Sequence, residues 1–578
     1  MIAMLHEYDV VVVGGGIAGL YAALTIAEGN SRVAVVSKVH VTRSHSVAAQ
    51  GGIAASLGNE EEDHWMWHFY DTVKGSDFLA DQDVAEVLAK EAPECVYTLE
   101  YLGVPFSRNS EGKIDQRRFG GHTRNQGEAP VKRACYVSDR TGRAIMDVLY
   151  DRCQEKNVAF YNEVFIQNLL FSSNRCCGVS GYNLATSTPQ VFHAKAVLLA
   201  TGGCGRIYKT TSNGFASTGD GFALALKADL PLEDMEFVQF HPTGIYGLGI
   251  LLSEAARAEG GVLRNALGEA FMERYAPSLK DLAPRDIVSR AILSEVAEGR
   301  GIDGKDYVFL DLRGVGKERL NSKLPEITSF VKTYLGIDPA ETPVPVAPTC
   351  HYMMGGIPTD TNGHVLADCD GAVLPGLFAA GECACVSVHG ANRLGCNSLI
   401  DLVVFGKRAG QNILNYVKIN EFSPLPLQAE KVVADKIRSL LDCDGVESVS
   451  VLRETMQSLM TQKVSVFRDQ ASLEGAMAQI RQLKNRCLNL GLKDKSTVFN
   501  YELQEAHELS NMLRVAEVLV YSALARTESR GAHYRIDYPE RNDGEWLKHT
   551  FVSESASGLK ACYRAVSVTA FAPQKRRY

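Results

Sequence analysis

The chain has 578 residues, and 60 Lys and Arg against 68 Asp and Glu give it a formal net charge of −8. That mild acidic excess argues against a nucleic-acid-binding protein, which normally presents a basic face or arm. A hydrophobic content of 46% with 22% charged residues excludes a disordered or collagenous chain, and the length predicts roughly three or four domains.

The first residues lead directly into an apolar strand, without the basic and then apolar leader of a signal peptide. The longest apolar stretches are shorter than the ~20 residues that a membrane span needs. We therefore expect a soluble chain in a reducing compartment, whose 14 cysteines are thiols. Any membrane attachment is expected to come through another subunit.

The chain begins with a strand–helix–strand pattern, with residues 9–13 and 32–36 as buried strands and residues 17–28 as the helix. The turn into the helix, Gly14-Gly15-Gly16-Ile17-Ala18-Gly19, contains Gly-x-Gly-x-x-Gly. The first glycine of this pattern allows a tight bend, the second admits a pyrophosphate, and the third lets the helix pack on the strand. The pattern predicts a dinucleotide site, although a glycine-rich turn without a ligand can have the same sequence.

Ser37 and Lys38 stand where a dinucleotide-binding domain usually has an acidic residue for the ribose hydroxyl. Ser37 can still hydrogen-bond a ribose. The missing acid removes the usual support for NAD and favours FAD.

Two later segments, residues 196–203 and 376–382, repeat the form of a strand followed by glycine. They predict one parallel-sheet domain assembled from separated pieces, with the stretch from 235 to 345 inserted. From residue 416 the pattern is helical, and an apolar stripe predicts a bundle core rather than a cofactor site: Leu473, Ala476, Met477, Ile480, Leu483 and Cys487. The irregular end, Lys575-Arg576-Arg577-Tyr578, predicts a solvated tail or a contact arm.

Cys383, Cys385 and Cys396 lie close together in the sequence and raise the alternative of a metal or iron–sulfur site. Such sites normally show four ligands at tight, repeated spacings, which these residues lack. We expect buried thiols and no metal in this chain.

His45 lies in a segment of small residues, Val41-Thr42-Arg43-Ser44-His45-Ser46-Val47-Ala48-Ala49-Gln50-Gly51-Gly52. A glycine pair in such a loop allows the backbone to approach a flat ring closely. From chemistry alone, His45 is either a hydrogen-bonding loop residue or a cofactor contact.

Further distinctive blocks lie along the chain: Phe240-His241-Pro242-Thr243-Gly244, Pro348-Thr349-Cys350-His351-Tyr352-Met353-Met354-Gly355-Gly356, His389-Gly390-Ala391-Asn392-Arg393-Leu394-Gly395, Arg526-Thr527-Glu528-Ser529-Arg530-Gly531-Ala532-His533-Tyr534-Arg535 and Pro573-Gln574-Lys575-Arg576-Arg577-Tyr578. Together with the glycine-rich start and the His45 segment, they resemble the flavoprotein subunit of the succinate dehydrogenase and fumarate reductase family over essentially the whole chain. L-aspartate oxidase shares many of these blocks but characteristically lacks the flavin-linking histidine, so His45 argues against it.

The resemblance implies an α/β fold, with a Rossmann-like FAD-binding domain, an inserted α+β capping domain, a helical domain and a small C-terminal domain. The expected domains are the discontinuous FAD-binding domain at 1–234 and 346–415, the capping domain at 235–345, the helical domain at 416–540 and the C-terminal domain at 541–578.

The resemblance also implies FAD joined covalently to the chain through His45. Besides Ser37, Lys38 and the turn from Gly14 to Gly19, the expected FAD contacts are Thr42, Arg43, Ser44, Ala49, Gln50, Gly51, Gly52, Asp220, Glu382, Ser398 and Leu399. Ser398 and Leu399 stand at a predicted helix start, whose N–H groups favour an electron-rich ligand.

Substrate and catalytic residues follow from the same blocks. His241, His351, Arg393, Thr243 and Ser253 are expected to bind the carboxylates of a dicarboxylate, with Ser253 at a family threonine position. Arg and His suit that task because both donate charge-assisted hydrogen bonds, although structural hydrogen bonds remain an alternative.

Arg285 occupies the family's acid/base position. An arginine can serve there only within a relay that returns the proton at once, and Glu254 and Arg257 are the expected relay members. Their spacing of three is also that of an ordinary surface ion pair on a helix.

The implied function is the flavoprotein subunit of succinate:quinone oxidoreductase, respiratory complex II, in the tricarboxylic acid cycle. Gln50 favours succinate oxidation over dedicated fumarate reduction; L-aspartate oxidase and a non-catalytic FAD-binding assembly or sensing module are the alternatives. The implied partners are an iron–sulfur subunit and membrane-anchor subunits with quinone, at the cytoplasmic face of the inner membrane.

Overall fold

The computed structural model describes residues 4–576, so Arg577 and Tyr578 of the predicted tail lie outside the described residues. The strands are β1 (Met4–Val13), β2 (Val33–Ser37), β3 (Ile53–Ala54), β4 (Gln116–Arg124), β5 (Ala129–Cys135), β6 (Ala159–Asn162), β7 (Val164–Ser172), β8 (Arg175–Asn183), β9 (Pro189–Leu199), β10 (Leu232–Glu233), β11 (Val238–Ile245), β12 (Val262–Arg264), β13 (Val308–Asp311), β14 (Val344–Met353), β15 (Ile357–Pro358), β16 (His364–Leu366), β17 (Val373–Ala379), β18 (Ala384–Cys385), β19 (Phe467–Arg468), β20 (Tyr534–Arg535), β21 (Lys548–Ser555) and β22 (Gly558–Ala565).

The helices are α1 (Ile17–Glu28), α2 (Trp65–Gly75), α3 (Gln82–Leu102), α4 (Thr141–Glu155), α5 (Asp220–Lys227), α6 (Ala255–Ala258), α7 (Met272–Tyr275), α8 (Arg285–Glu295), α9 (Lys317–Lys323), α10 (Pro325–Leu335), α11 (Asn397–Ile419), α12 (Ala429–Asp442), α13 (Val449–Lys463), α14 (Gln470–Arg486), α15 (Tyr501–Ala525) and α16 (Asp543–Trp546). None of the helices within residues 4–576 is long and apolar enough to cross a bilayer.

The three strand-then-glycine segments of the sequence lie side by side in one sheet. β9 pairs in parallel with β1 on one side and with β17 on the other. The sheet has the order β16-β17-β9-β1-β2-β6, and β7 and β8 extend it through β9. Because the parallel strands end at the same edge, their glycine turns meet there. The predicted α/β fold class is confirmed.

Two helices cover this sheet at unusually short separation. Gly406 and Gly410 of α11 face α1, where an added Cβ would lie 2.9 Å from the Ala18 carbonyl oxygen and 2.9 Å from Thr25 Cβ, respectively. Only glycine permits this approach without displacing the neighbouring helix. The close packing fixes α1 and α11, whose N-termini both face the cavity described below.

A second, antiparallel sheet has the order β11-β14-β13-β12, and three of its strands lie within the stretch 235–345 that was predicted as a capping domain. β14 runs through the predicted boundary at residue 345, because it pairs with β13 at its start and with β11 further on. This pairing places His241 of β11 opposite Thr349 of β14. α8 packs on the sheet, where the Ser289 hydroxyl donates to the Phe240 carbonyl at 2.9 Å.

The helical region and the cysteines agree with the sequence analysis. Leu473, Ala476, Met477, Ile480 and Leu483 are buried on one face of α14 and form part of a core rather than a site. The 14 cysteines are free thiols, as predicted.

The tail segment, which we define as residues 566–576, is a contact arm rather than a solvated tail. The Phe571 ring packs on Phe69, with ring centroids 5.0 Å apart, and on Tyr70. The guanidinium of Arg576 lies 3.1 Å from an Asp77 carboxylate oxygen and 2.6 Å from one of Asp286. The tail segment therefore joins residues of two domains.

Arg526 ties the end of α15 to the C-terminal region through a fully buried charge cluster. Its guanidinium donates to Glu236 Oε1 at 2.6 Å and to Glu528 Oε1 at 3.0 Å, and none of the three side chains is exposed. It also donates to the carbonyl oxygens of Trp546 and Lys548. A buried carboxylate that loses its cation is costly, because nothing replaces its lost hydration.

We expect Arg526→Met to lower the free energy of unfolding by about 3–5 kcal/mol, because the buried Glu236 carboxylate loses its cation, whereas Glu528 keeps Arg530. Chemical denaturation followed by tryptophan fluorescence measures this change. Arg438→Met is the matched control: Arg438 pairs at 3.3 Å with Asp435 and is 61% exposed, so its loss should change stability by less than about 0.5 kcal/mol. Equal denaturation midpoints for the two variants would contradict the prediction.

Candidate active site

The turn between β1 and α1 forms a backbone cradle without side chains. Gly14 has a φ of 115°, and an added Cβ there would lie 2.2 Å from the Ala200 carbonyl oxygen. Gly16 caps α1 and provides no side-chain acceptor, and of the first N–H groups of the helix that of Ile17 donates to the Ser46 hydroxyl at 3.3 Å. Such a helix start is a ready anion site, which fits the pyrophosphate of a dinucleotide.

The cradle opens into a long cleft, whose space, including the open mouth, is about 1620 Å³. The expected FAD contacts that line it are Gly14, Gly15, Gly16, Ile17, Ala18, Ser37, Lys38, Ser44, His45, Ala49, Gln50, Gly51, Gly52, Asp220, Glu382, Ser398 and Leu399.

Three expected FAD contacts do not line the cleft. Gly19 lies behind the cradle, where a Cβ would be 2.1 Å from the Gly14 carbonyl oxygen, so it serves the packing of helix on strand. Thr42 and Arg43 belong to a short helical turn at 41–43, and Arg43 is exposed to solvent. The loop bends so that Ser44 and His45 face the cleft and these two residues do not.

Other lining residues were not assigned from the sequence. Thr201, Gly202 and Gly203 follow β9, and Ala380 and Gly381 follow β17. Their strand-then-glycine form was the available signal. Phe165 and Ile166 of β7 also line the cleft, and nothing local in the sequence indicates it.

Lys38 and Asp220 neutralise each other at the end of the cleft near β2. The Lys38 ammonium donates to Asp220 at 2.6 Å and to Glu508 of α15 at 2.8 Å. Burial opposes its charge, but the two carboxylates raise the pKa of Lys38 and hold it protonated. The ion pair closes this end of the cleft and connects it with the helical domain.

His45 meets two N–H donors. The Gly214 backbone N–H donates to His45 Nδ1 at 3.2 Å, and the Asn213 amide nitrogen lies 3.3 Å from Nε2. The same amide nitrogen donates to the His351 carbonyl at 2.8 Å, which fixes its orientation. Burial, with the charge of Arg206, lowers the pKa of His45 to about 4, so the imidazole is neutral near pH 7.

Glu382 and the start of α11 face the middle of the cleft. α11 begins at Asn397 without a side-chain cap, so the N–H groups of its first turn, which includes Ser398 and Leu399, stay available. Glu382 accepts from the Met353 backbone N–H at 3.2 Å, and burial raises its pKa to about 7.

The far end of the cleft brings together residues from separate elements. His241 of β11, His351 of β14, Arg285 at the start of α8, Arg393 and Ser253 all line it. The rings of His241 and His351 have centroids 5.1 Å apart. The Arg393 guanidinium lies 4.5 Å from the Tyr352 ring centroid.

Burial and the nearby Arg285 lower the pKa values of both histidines well below their usual range and that of Arg393 to about 10. Both histidines are therefore neutral. The Thr243 backbone N–H donates to His241 Nδ1 at 3.3 Å, so the ring proton is on Nε2. That Nε2 and the Nε of Arg393 are buried and have no hydrogen-bond partner within residues 4–576.

Glu254 and Arg257 lie behind the cleft wall next to Arg285. Arg285 Nε donates to Glu254 Oε2 at 3.0 Å, and Arg257 Nη2 lies 3.8 Å from the same oxygen. Burial opposes the charge of Glu254, but Arg285 and Arg257 lower its pKa below the usual value. The expected ion pair is thus buried rather than solvated.

Thr243 does not line the cleft. Its hydroxyl donates to the Leu252 carbonyl at 2.7 Å, and its backbone holds His241. It therefore orients a lining residue, whereas we had expected it to contact the substrate.

Gln239 was missed by sequence reasoning. It is fully buried, and its Oε1 accepts from Arg285 Nη1 at 3.1 Å and from Arg393 Nη2 at 3.0 Å. One neutral oxygen therefore holds two guanidinium groups together. Gln239 and His241 are two residues apart in β11, the spacing that places side chains on one face of a strand. This spacing was the signal that could have indicated Gln239.

One carboxylate and histidine cluster lies outside the cleft, formed by Glu233, Asp234 and His549. His549 Nδ1 lies 2.6 Å from Asp234 and its Nε2 lies 3.1 Å from Asp81. Burial opposes protonation, but these carboxylates raise the pKa of His549 well above its usual value. The charged ring uses both nitrogens for ion pairs.

Comparison with known proteins gives consistent matches over the chain. Residues 9–399 match a family model described as FAD binding domain, and residues 453–578 match one described as fumarate reductase flavoprotein C-term. A succinate dehydrogenase flavoprotein subunit of Rickettsia felis is 48% identical and covers 99% of this chain and 98% of its own. A fumarate reductase flavoprotein subunit of Mycobacterium tuberculosis is 42% identical and covers 100% of both. A solved E. coli quinol fumarate reductase has a TM-score of 0.92 at 36% identity, with 99% of both chains covered.

We expect Gly14→Ala to lower the amount of FAD bound per chain, because the new Cβ would lie 2.2 Å from the Ala200 carbonyl at a φ of 115°. The flavin absorbance of the purified protein, relative to its protein absorbance, measures this. Gly314→Ala is the matched control, because its Cβ meets nothing within 4 Å and its φ is not positive. Full flavin content in Gly14→Ala would contradict the role of the cradle.

Proposed function

This chain belongs to the family of succinate dehydrogenase and fumarate reductase flavoprotein subunits, and from that premise we propose that it oxidises succinate to fumarate. The family is one of FAD-binding oxidoreductases. The observation that carries the proposal is that one cleft joins the glycine cradle to Arg285, Arg393, His241 and His351. The cradle and the start of α11 would hold FAD, which would supply the acceptor for a hydride.

The far end of the cleft suits a dianion. Arg393 offers a planar fork to one carboxylate, and the protonated Nε2 of neutral His241 is a buried donor without a partner within residues 4–576. Each such donor costs free energy until an acceptor arrives. His351 and the Ser253 hydroxyl complete the set of proposed carboxylate ligands.

Proton removal is assigned to Arg285. Its Nε and Nη1 are hydrogen-bonded to Glu254 and Gln239, which leaves Nη2 to face the substrate. As Nη2 takes a proton from the substrate carbon, Nε passes one to Glu254 at 3.0 Å. The guanidinium therefore never stays neutral, and Arg257 is the next member of the proposed relay.

We also propose a covalent link between FAD and His45 Nε2. Two N–H donors, from Gly214 and Asn213, approach the two ring nitrogens. A neutral imidazole has only one acceptor nitrogen, so it cannot satisfy both. If His45 Nε2 is bonded to a carbon of FAD, it carries no N–H that would point at the Asn213 amide group. His45 Nδ1 can then still accept from the Gly214 N–H.

The direction and partners rest on the relatives. Of the three relatives named above, the one at 48% identity is a succinate dehydrogenase, and the two at 42% and 36% identity are fumarate reductases. Succinate oxidation is also favoured by Gln50, which lines the cleft with a buried side-chain oxygen that lacks a partner within residues 4–576. We propose that electrons pass to an iron–sulfur subunit and reach quinone in membrane-anchor subunits at the cytoplasmic face of the inner membrane, since the E. coli relative is a quinol fumarate reductase.

We expect Arg285→Gln to keep its FAD and to lose succinate-dependent reduction of an artificial dye by about 10²- to 10⁴-fold, because the proton acceptor is gone. Arg319→Gln is the control, since Arg319 lies in the capping domain and is 59% exposed. The same assay with aspartate tests the oxidase alternative. Normal turnover of Arg285→Gln on succinate, or reduction by aspartate alone, would refute the proposal.

We expect FAD to stay with the wild-type chain after denaturation in acid and to be released from His45→Ser, because the serine cannot form the link. Intact-mass measurement of the denatured chain reports the attached FAD. His40→Ser is the matched control, as His40 lies in the same loop and contacts Thr42. Complete release of FAD from the wild-type protein would exclude the covalent link.

A further inference from the structure

The tail segment joins the FAD-binding body to the first turn of α8, and the joint lies one residue from Arg285. Arg576 Nε lies 3.1 Å from Asp77 Oδ1, and its Nη2 lies 2.6 Å from Asp286 Oδ2. Asp77 follows α2, whereas Asp286 is the second residue of α8, directly after Arg285. One guanidinium therefore spans two domains next to the proposed acid/base residue.

We propose that Arg576 is a positioning residue for the oxidation of the dicarboxylate, acting on Arg285 through Asp286. The inference rests on the proposed function, since it needs Arg285 as the proton acceptor. The basic tail does not line the catalytic cleft, and its role in this proposal is to fix the position of the first turn of α8.

Burial makes this contact specific. The Asp286 side chain has no exposed area, and its cations are Arg576 and Arg290, the latter at 3.0 Å. Arg290 lies in the same helix and binds the body through the Gly531 carbonyl at 2.7 Å, one turn beyond Asp286, so its ion pair with Asp286 stays within α8. Arg576 joins Asp286 to the body, because its other carboxylate, Asp77, belongs to the body.

Asp77 is itself held rigidly. Arg541 Nη1 lies 2.8 Å from Asp77 Oδ1, and the Gly531 backbone N–H donates to Oδ2 at 2.9 Å. The charges of Arg576, Arg530 and Arg541 lower the pKa of Asp77 to about 2 despite its burial. Asp77 is thus an ionised and fixed anchor near pH 7.

The tail segment is also held along its course. Three backbone N–H groups, at 569–571, donate to the Gln82 side-chain oxygen, and Gln574 donates to the Tyr70 hydroxyl at 3.0 Å. Arg576 therefore arrives at Asp286 from a fixed path. Because residues 285 and 286 share one helical turn, a shift of the Asp286 backbone displaces Arg285 by a similar distance, and a misplacement of about 1 Å at a reacting group can cost on the order of 100-fold in rate.

The test compares Arg576→Gln with Arg541→Gln in the FAD-loaded protein, assembled with whatever subunits co-purify with it. Arg541→Gln removes a cation from the same Asp77 and a hydrogen bond to the Gln574 carbonyl of the tail segment, but it leaves the Arg576 side chain to pair with Asp286. Succinate and succinate deuterated at both methylenes are the substrates, with an artificial dye as acceptor. Inhibition by malonate reports dicarboxylate binding without turnover.

For Arg576→Gln we expect kcat to fall by about 10- to 100-fold, with little change in the malonate inhibition constant, because the proton acceptor moves and the carboxylate ligands do not. The deuterium isotope effect on kcat should rise, since C–H cleavage becomes more rate-limiting. Arg576→Lys should recover much of the loss, and Arg541→Gln should lose clearly less kcat than Arg576→Gln, because the contact with Asp286 remains.

Asp286→Asn weakens the same contact from the α8 side. The proposal can therefore still be tested if Arg576→Gln fails to fold. The Arg576→Gln/Asp286→Asn double variant should lose no more activity than the more affected single variant, because both break one contact. Equal losses in Arg576→Gln and Arg541→Gln, additive losses in the double variant, or an unchanged isotope effect would overturn the inference. If Arg285→Gln itself keeps normal turnover, the proposed function fails; if only Arg576→Gln does, the inference alone fails.

Discussion

The candidate site depends on two buried arginines at the far end of the cleft, whose positive charges must be accommodated by their neighbours. Arg285 and Arg393 share the single neutral oxygen of Gln239, and Glu254 is the carboxylate bonded to this group. Their positive charge helps to keep His241 and His351 neutral. Buried cations and donors without acceptors cost free energy, and the proposed dicarboxylate would supply two negative charges there.

Separate parts of the fold bring these groups together in one cleft. The glycine turns that follow β1, β9 and β17 meet because the strands are parallel and end at the same edge. The capping sheet adds histidines from two paired strands, and the tail segment binds the first turn of α8. Each domain therefore contributes to the cleft or to its alignment, and no domain holds the chemistry alone.

Much of the fold and part of the site could be predicted from the sequence. The cradle was predictable because a strand, a glycine turn and a helix lie within consecutive residues, and so was the buried stripe of α14. Other residues were expected to contact FAD or the substrate but do not line the cleft. Thr42, Arg43 and Thr243 are of this kind. Bends of one or two residues decide which side chains of a loop face inwards.

The sequence by itself determined the α/β class and favoured FAD, because these depend on local pattern and residue type, and its resemblance to the family indicated the candidate site residues. Only the tertiary structure decided that Gln239 joins two arginines and that Arg576 reaches Asp286. The first contacts span 46 and 154 residues and the last spans 290. Contacts between such distant residues leave no periodicity in the sequence, since they arise only when separate elements pack into one core.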